Sequence, residues 1–217
     1  MDKKPVLLIT RDMPPAVEAR ALLDYEVRLN RDDKIYDVGG LIAAAAGADA
    51  MLICGTEPIT PDLLARLPES VKIIACFTAG YDHVDLAAAK ARGIVVTHAP
   101  DALTDAVADI TLLLLLGAAR RAGEGEAIMR QGGWDNIHLL FMTGSEITGK
   151  RLGILGMGRI GRAVAKRARA FGMEIHYHNR SRLDTALEDG AIWHDDAESL
   201  LANSDFLSLH CPSNEAS

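Results

Sequence analysis

RLGILGMGRIG, residues 151–161, is the stretch that decides how this chain is read. The apolar run RLGIL leads straight into Gly156, Gly158 and Gly161 at G-x-G-x-x-G spacing. A helical pattern over residues 162–171 follows, and then a second apolar run over residues 173–177. A glycine triplet alone is compatible with an ordinary tight turn; between a strand and a helix it matches a dinucleotide-phosphate loop. In that reading Gly156 permits the sharp turn, Gly158 lets the backbone approach a pyrophosphate, and Gly161 lets the helix pack closely on the sheet. Arg159 and Ile160 then offer backbone N–H groups to the anion at the positive end of the helix dipole.

Cofactor choice is read one strand further on. Sites that take NAD commonly place an acid about 20 residues past the loop, on the ribose 2′-hydroxyl. Here the strand EIHYH ends in Asn179, Arg180, Ser181 and Arg182, with no acid before Asp184. Two arginines and a serine suit a 2′-phosphate, so the turn predicts NADP(H) over NAD(H). The bland alternative is a basic turn that faces solvent.

Working back toward the N-terminus, short apolar runs alternate with helical stretches. Strands are expected at residues 5–10, 25–29, 50–54, 71–77 and 94–97, and helices at 14–23, 38–46, 61–67 and 85–92, with Gly93 as a helix C-cap. Such alternation predicts βα units and a parallel sheet covered on both faces. Residues 1–99 are therefore expected to form a flavodoxin-like α/β domain, and His98, Ala99 and Pro100 a crossover. Residues 100–217 are expected to form an incomplete Rossmann domain, with a helix at 196–202 and a strand at 206–210 beyond the runs already named.

The longest helical pattern covers residues 103–121, with Thr104 as its expected N-cap and Asp105 in its first turn. Leucines fill positions 112 to 116, making it apolar all round and predicting burial in a core or, preferably, in a subunit interface. Its apolar window is far shorter than the roughly 20 residues of a membrane helix.

A net charge of -7 argues against a nucleic-acid binder. Cys54, Cys76 and Cys211 lie far apart in apolar runs and read as buried, reduced thiols. MDKKPVLLIT has too short an apolar stretch for a signal peptide. These features predict a cytoplasmic protein, and no metal site is expected.

Several stretches together resemble the D-2-hydroxyacid dehydrogenase family, especially its glyoxylate/hydroxypyruvate reductase branch. They are CFTAGYDHVDLAAAKARGIVV (76–96), HAPDALTDAVADITLLLLLGAARR (98–121), GSEITGKRLGILGMGRIG (144–161), HNRSR (178–182) and SDFLSLHCP (204–212). The resemblance implies a substrate domain paired with a Rossmann domain, a homodimer, and hydride transfer to a small 2-oxo acid. It also implies that backbone N–H groups of Ala79 and Gly80 receive the substrate carboxylate, with Gly55 and Thr56 nearby, and that Cys211 and Pro212 line the adenosine side of the cofactor. Asp82, His83 and Asp85 match the family pattern and read as loop-fixing groups.

The family's catalytic arginine, glutamate and histidine belong to segments after the HCP strand, and the chain stops five residues beyond Pro212. No catalytic residue is therefore expected within it, and the sheet is expected to be incomplete at its C-terminal side. His210 reads as a packed strand-end histidine, and His138 lies in an expected loop without an identifiable acidic partner. Two further readings stay open: a non-catalytic dinucleotide sensor of the corepressor type, and a formate or phosphonate dehydrogenase on the same scaffold.

Overall fold

The computed structural model describes residues 3–135 and 139–212. The chain divides into two compact units, Met1–Ala102 and Leu103–Ser217.

In the first unit, β1 (Val6–Ile9), α1 (Pro15–Asp24), β2 (Glu26–Leu29), α2 (Val38–Ala44), β3 (Ala50–Ile53), α3 (Pro61–Arg66), β4 (Ile73–Cys76), α4 (Leu86–Ala91) and β5 (Val95–Thr97) follow one another. The strands pair in parallel in the order β2-β1-β3-β4-β5, the flavodoxin-like order. The unbroken apolar run of β1 is explained by burial on both faces. Val6 and Leu8 join the core beneath α2 and α3, while Leu7 and Ile9 pack with Met13 and Ala21 on the opposite side. Side-chain caps start three of the helices: Asp37 on Gly40 N, Thr60 on Leu63 N and Asp85 on Ala88 N. Gly93 ends α4 with φ at 67° and its N–H on the Lys90 carbonyl, a conformation that favours glycine.

The second unit opens with α5 (Thr104–Ala119) and α6 (Ala122–Arg130). Then come β6 (Arg151–Leu155), α7 (Arg159–Ala170), β7 (Glu174–His178), α8 (Thr185–Glu188), β8 (Ile192–Trp193), α9 (Ala197–Ala202) and β9 (Phe206–Leu209). All pairs are again parallel, in the order β8-β7-β6-β9. The strand order reverses between β6 and β9, and a crevice forms at such a switch point.

Helix α5 packs along α7, burying Ala108, Leu112 and Ala119, and Arg167 of α7 reaches back to Asp105 (3.0 Å) and Asp109 (2.6 Å). Two expectations about these helices change. Helix α7 begins at Arg159 rather than Arg162, so the glycine loop is itself the helix N-terminus. Thr104 is the first residue of α5 and not its cap, because Leu103 occupies the cap position and no side chain caps the end. On α5, Leu113 and Leu114 are 62% and 65% exposed and Ile110 48%, an apolar face left uncovered among the described residues. No described helix is long and apolar enough to cross a membrane.

Candidate dinucleotide and substrate sites

A cleft of about 500 Å³ opens where β6 and β9 end. Its floor is Gly156, Met157 and Gly158, one wall is His178 to Ser181 with Leu183, and the other is His210, Cys211 and Pro212. The three glycines do separate things. A Cβ on Gly156, whose φ is 94°, would lie 2.5 Å from Cys211 N and 2.7 Å from His210 C, so only glycine lets β6 and β9 close side by side. A Cβ on Gly161 would lie 2.7 Å from the Gly156 carbonyl oxygen, so this glycine seats α7 against the turn. A Cβ on Gly158 would meet nothing within 4 Å. Its bare backbone therefore faces space that a ligand can enter.

The loop is also pinned from within. Gly158 N–H donates to the Gly156 carbonyl (2.9 Å), and Arg162 N–H makes the first bond of α7, to the Gly158 carbonyl (3.0 Å). The amides of Ile160 and Gly161 precede that bond and so have no acceptor within the helix. With the dipole of α7 behind them, they suit an anionic diphosphate. The side chains of Arg159 and Ile160 do not line the cleft; only their amides belong to the anion end.

The turn after β7 differs in part from its sequence reading. Asn179, Arg180 and Ser181 line the cleft. Asn179 Oδ1 accepts from Met157 N–H at 2.6 Å, so this side chain fixes the glycine loop. Arg182 is absent from the lining. Its Nε and terminal nitrogen donate to the two oxygens of Glu188 (2.8 and 3.1 Å), and its guanidinium lies 5.6 Å from the centre of the Trp193 ring. The Glu188 side chain is only 5% exposed. A carboxylate buried to that degree requires a cation, and Arg182 is the one it has. Arg182 holds Glu188 below the usual carboxylate range, and the carboxylate raises Arg182 in return. Arg182 is thus paired with Glu188, while Arg180 and Ser181 line the cleft.

On the opposite wall, His210 Nε2 lies 2.8 Å from Ser208 Oγ, and burial pushes the imidazole below its ordinary value. It directly follows β9 and is half-buried at the cleft wall. Cys54, Cys76 and Cys211 are all free; Cys76 is buried, whereas Cys54 and Cys211 are half-buried. His138 lies outside the described residues.

In the first unit the strand ends of β3 and β4 bring Gly55 beside the 78–80 loop, where a Cβ added to Gly55 would lie 3.6 Å from the Thr78 methyl. The carbonyls of that loop are tied down: His98 Nδ1 meets Ala79 O at 2.8 Å, and Thr78 Oγ1 donates to Gly80 O at 2.6 Å. Among the described residues, neither the Ala79 nor the Gly80 N–H has a backbone acceptor, so both remain available to a carboxylate. Thr56 Oγ1 accepts from Arg11, which is itself held in a two-point pair with Asp33. Asp33 falls to about 2 as a result. Buried Glu57 accepts from Cys54 N–H (3.1 Å). Sequence reasoning missed Arg11, Glu57, Tyr177 and Glu188, because each acts through a partner remote in the chain or through a loop it braces. Asp85 caps α4, and the His83 carbonyl accepts from Ile59 N–H (2.7 Å), while the Asp82 side chain sits near Gly80. Among the described residues no cluster of acidic, histidine or cysteine side chains fits a metal ion.

A parallel sheet with a glycine-rich helix N-terminus at its switch point defines a dinucleotide-binding α/β protein. The family described as D-isomer specific 2-hydroxyacid dehydrogenase, NAD binding domain, matches residues 112–217. The chain is similar to a glycerate dehydrogenase from Hyphomicrobium methylovorum, 43% identical across 98% of the chain, and to a glyoxylate reductase from Thermococcus litoralis, 42% identical across 96%. It also superimposes, with a TM-score of 0.90, on a solved structure from Polaromonas assigned to the D-isomer specific 2-hydroxyacid dehydrogenases. Identity to that structure is 43%, covering 99% of this chain and 67% of the other. The chain belongs to the D-isomer specific 2-hydroxyacid dehydrogenase family. It spans 66% and 64% of the lengths of the two curated relatives. Membership carries an NAD(P) cofactor with it.

Proposed function

We propose that the protein to which this chain belongs is an NADPH-preferring reductase that converts a small 2-oxo acid, glyoxylate or hydroxypyruvate, to the D-2-hydroxy acid. The observation that carries the cofactor choice is the composition of the cleft wall. Arg180 and Ser181 line it, and among the described residues no carboxylate does. An acid there would accept from a ribose 2′-hydroxyl and repel a 2′-phosphate; a guanidinium and a hydroxyl do the reverse.

When bound, the nicotinamide supplies the hydride. The chain's own residues bind and orient. The α7 amides hold the diphosphate, Arg180 and Ser181 meet the 2′-phosphate, and Leu183, Cys211 and Pro212 cover the adenosine. Ala79 and Gly80, with Gly55 alongside, hold the carboxylate of the oxo acid by backbone N–H groups. The relatives' names, glyoxylate reductase and glycerate dehydrogenase, support this substrate class. The protein is further proposed to be a cytoplasmic homodimer joined through the apolar face of α5, where Ile110, Leu113 and Leu114 stand exposed.

The test is NADPH and NADH oxidation by the full-length protein with glyoxylate, hydroxypyruvate and pyruvate compared, repeated for Arg180→Ala. A charge-assisted bond contributes about 1.5–3 kcal/mol, so the variant should lose about ten-fold or more in KM for NADPH with little change for NADH. An unchanged ratio would refute the cofactor assignment, and inactivity on all three acids the substrate class.

A further inference from the structure

The 179–183 turn is held at both ends. At the near end, Asn179 Oδ1 accepts from Met157 N–H of the glycine loop (2.6 Å). At the far end, Leu183 N–H donates to the Tyr177 hydroxyl (3.1 Å), and that hydroxyl donates to Glu188 Oε1 (2.7 Å). Glu188 binds Arg182 through both carboxylate oxygens. Tyr177 is fully buried, and Glu188 nearly so. Arg169 of α7 steadies this corner by donating to the Glu188 carbonyl (3.0 Å) and pairing with Asp189 (3.0 Å). Between the two anchors stand Arg180 and Ser181, the turn residues whose side chains carry the proposed phosphate contact. Among the described residues Arg180 has no carboxylate partner.

We propose that Glu188, acting through Arg182 and Tyr177, is a positioning residue for cofactor discrimination: it holds the turn so that Arg180 and Ser181 face the ribose end of the cleft. Arg182 is part of this clamp and does not touch the phosphate. The inference rests on the reading of the cleft as an NADPH site. It adds that one of two neighbouring arginines is spent on geometry, and that a buried acid eight residues beyond Arg180 sets the preference without meeting the ligand.

The alternative, Arg182 as a phosphate ligand, predicts the opposite sign. Removing the charge of Glu188 would free Arg182 and strengthen phosphate binding. Under the clamp the same change loosens the turn and weakens it. The probes are 2′,5′-ADP and 5′-AMP, which differ only in the 2′-phosphate, titrated calorimetrically into full-length wild type, Arg180→Ala, Glu188→Gln and Arg182→Lys. Loss of about one net hydrogen bond's worth of ordering predicts that Glu188→Gln lowers the 2′,5′-ADP to 5′-AMP affinity ratio by about three- to ten-fold, with 5′-AMP affinity unchanged. Arg182→Lys, which keeps the charge but not the two-point geometry, should lower the ratio likewise.

A ratio that rises or stays constant in Glu188→Gln overturns the clamp. If Glu188→Gln fails to fold, Arg182→Lys decides, and an unchanged ratio there overturns it. A wild type that does not prefer 2′,5′-ADP instead overturns the NADPH reading, and the clamp falls with it. A preference abolished by Arg180→Ala but untouched by Glu188→Gln leaves that reading standing and removes the clamp alone.

Discussion

Replacing two neighbouring glycines by alanine should produce two different failures. In Gly156→Ala the added methyl lies 2.5 Å from Cys211 N, 2.7 Å from His210 C and 2.9 Å from Cys211 Cα, all backbone atoms. Ordinary contact begins at 3.4 Å, so the β6 and β9 ends must part by about 0.9 Å. Holding a non-glycine residue in a disfavoured backbone region costs about 1–3 kcal/mol, and overpacking a rigid contact about as much again. The sum, about 2–6 kcal/mol, is a large share of the 5–15 kcal/mol that stabilises a typical domain. We expect the nucleotide-binding unit to melt about 10 °C lower or more. In Gly158→Ala the backbone is extended (φ -80°, ψ -150°) and the methyl meets nothing within 4 Å. Its melting temperature should stay near wild type, while the methyl occupies the approach to the diphosphate and weakens NADPH by about ten-fold or more. Circular-dichroism melting and NADPH titration on the same samples separate the two. Should Gly158→Ala bind like wild type, or Gly156→Ala melt like it, the roles given to these glycines are wrong.

Two further outcomes follow from the ion pairs and the exposed helix. Asp205 accepts from Arg151 N–H (2.8 Å) and pairs with its guanidinium, joining the starts of β6 and β9, and its carboxyl falls from 3.8 to about 2. A depressed folded-state value means the pair stabilises fully above the unfolded value and is lost as pH falls. The melting-temperature gap between wild type and Asp205→Asn should therefore be constant near neutrality, shrink below about pH 4 and be mostly gone by about pH 2; a gap as large at pH 2 as at neutrality contradicts it. Glutamate at both Leu113 and Leu114, on the exposed face of α5, should convert a dimeric full-length protein to monomers in light scattering without loss of helical signal. A variant that stays dimeric removes α5 from the interface.

The sheets and the glycine loop were legible because they depend on local signals: apolar runs of strand length, and glycines where backbone approaches backbone or a helix ends, as at Gly93. What escaped had no such signal. Helix α6 buries none of its residues, so no apolar stripe marks it, and two glycines interrupt its pattern. Strand β8 has two residues and α8 four, too short for either periodicity to register. The start of α7 was set three residues late because its first turn is made of the loop glycines and Arg159, which read as a turn until the cap at Gly158 is seen. Within the site, Arg180 and Arg182 look alike in sequence. Arg182 pairs with Glu188 at the end of α8, which also accepts from the buried Tyr177, whereas Arg180 lines the cleft. A buried acid facing two candidate cations is a tertiary fact, and no spacing rule announces it.

The anion-binding mouth of α7 carries the dinucleotide assignment. Isothermal titration of NADPH and NADH into the folded full-length protein tests it most directly. Both should bind with one site per chain, NADPH more tightly, and Arg180→Ala should bring the two together. Absence of heat from either nucleotide at millimolar concentration would contradict the dinucleotide site and the reductase assignment built on it.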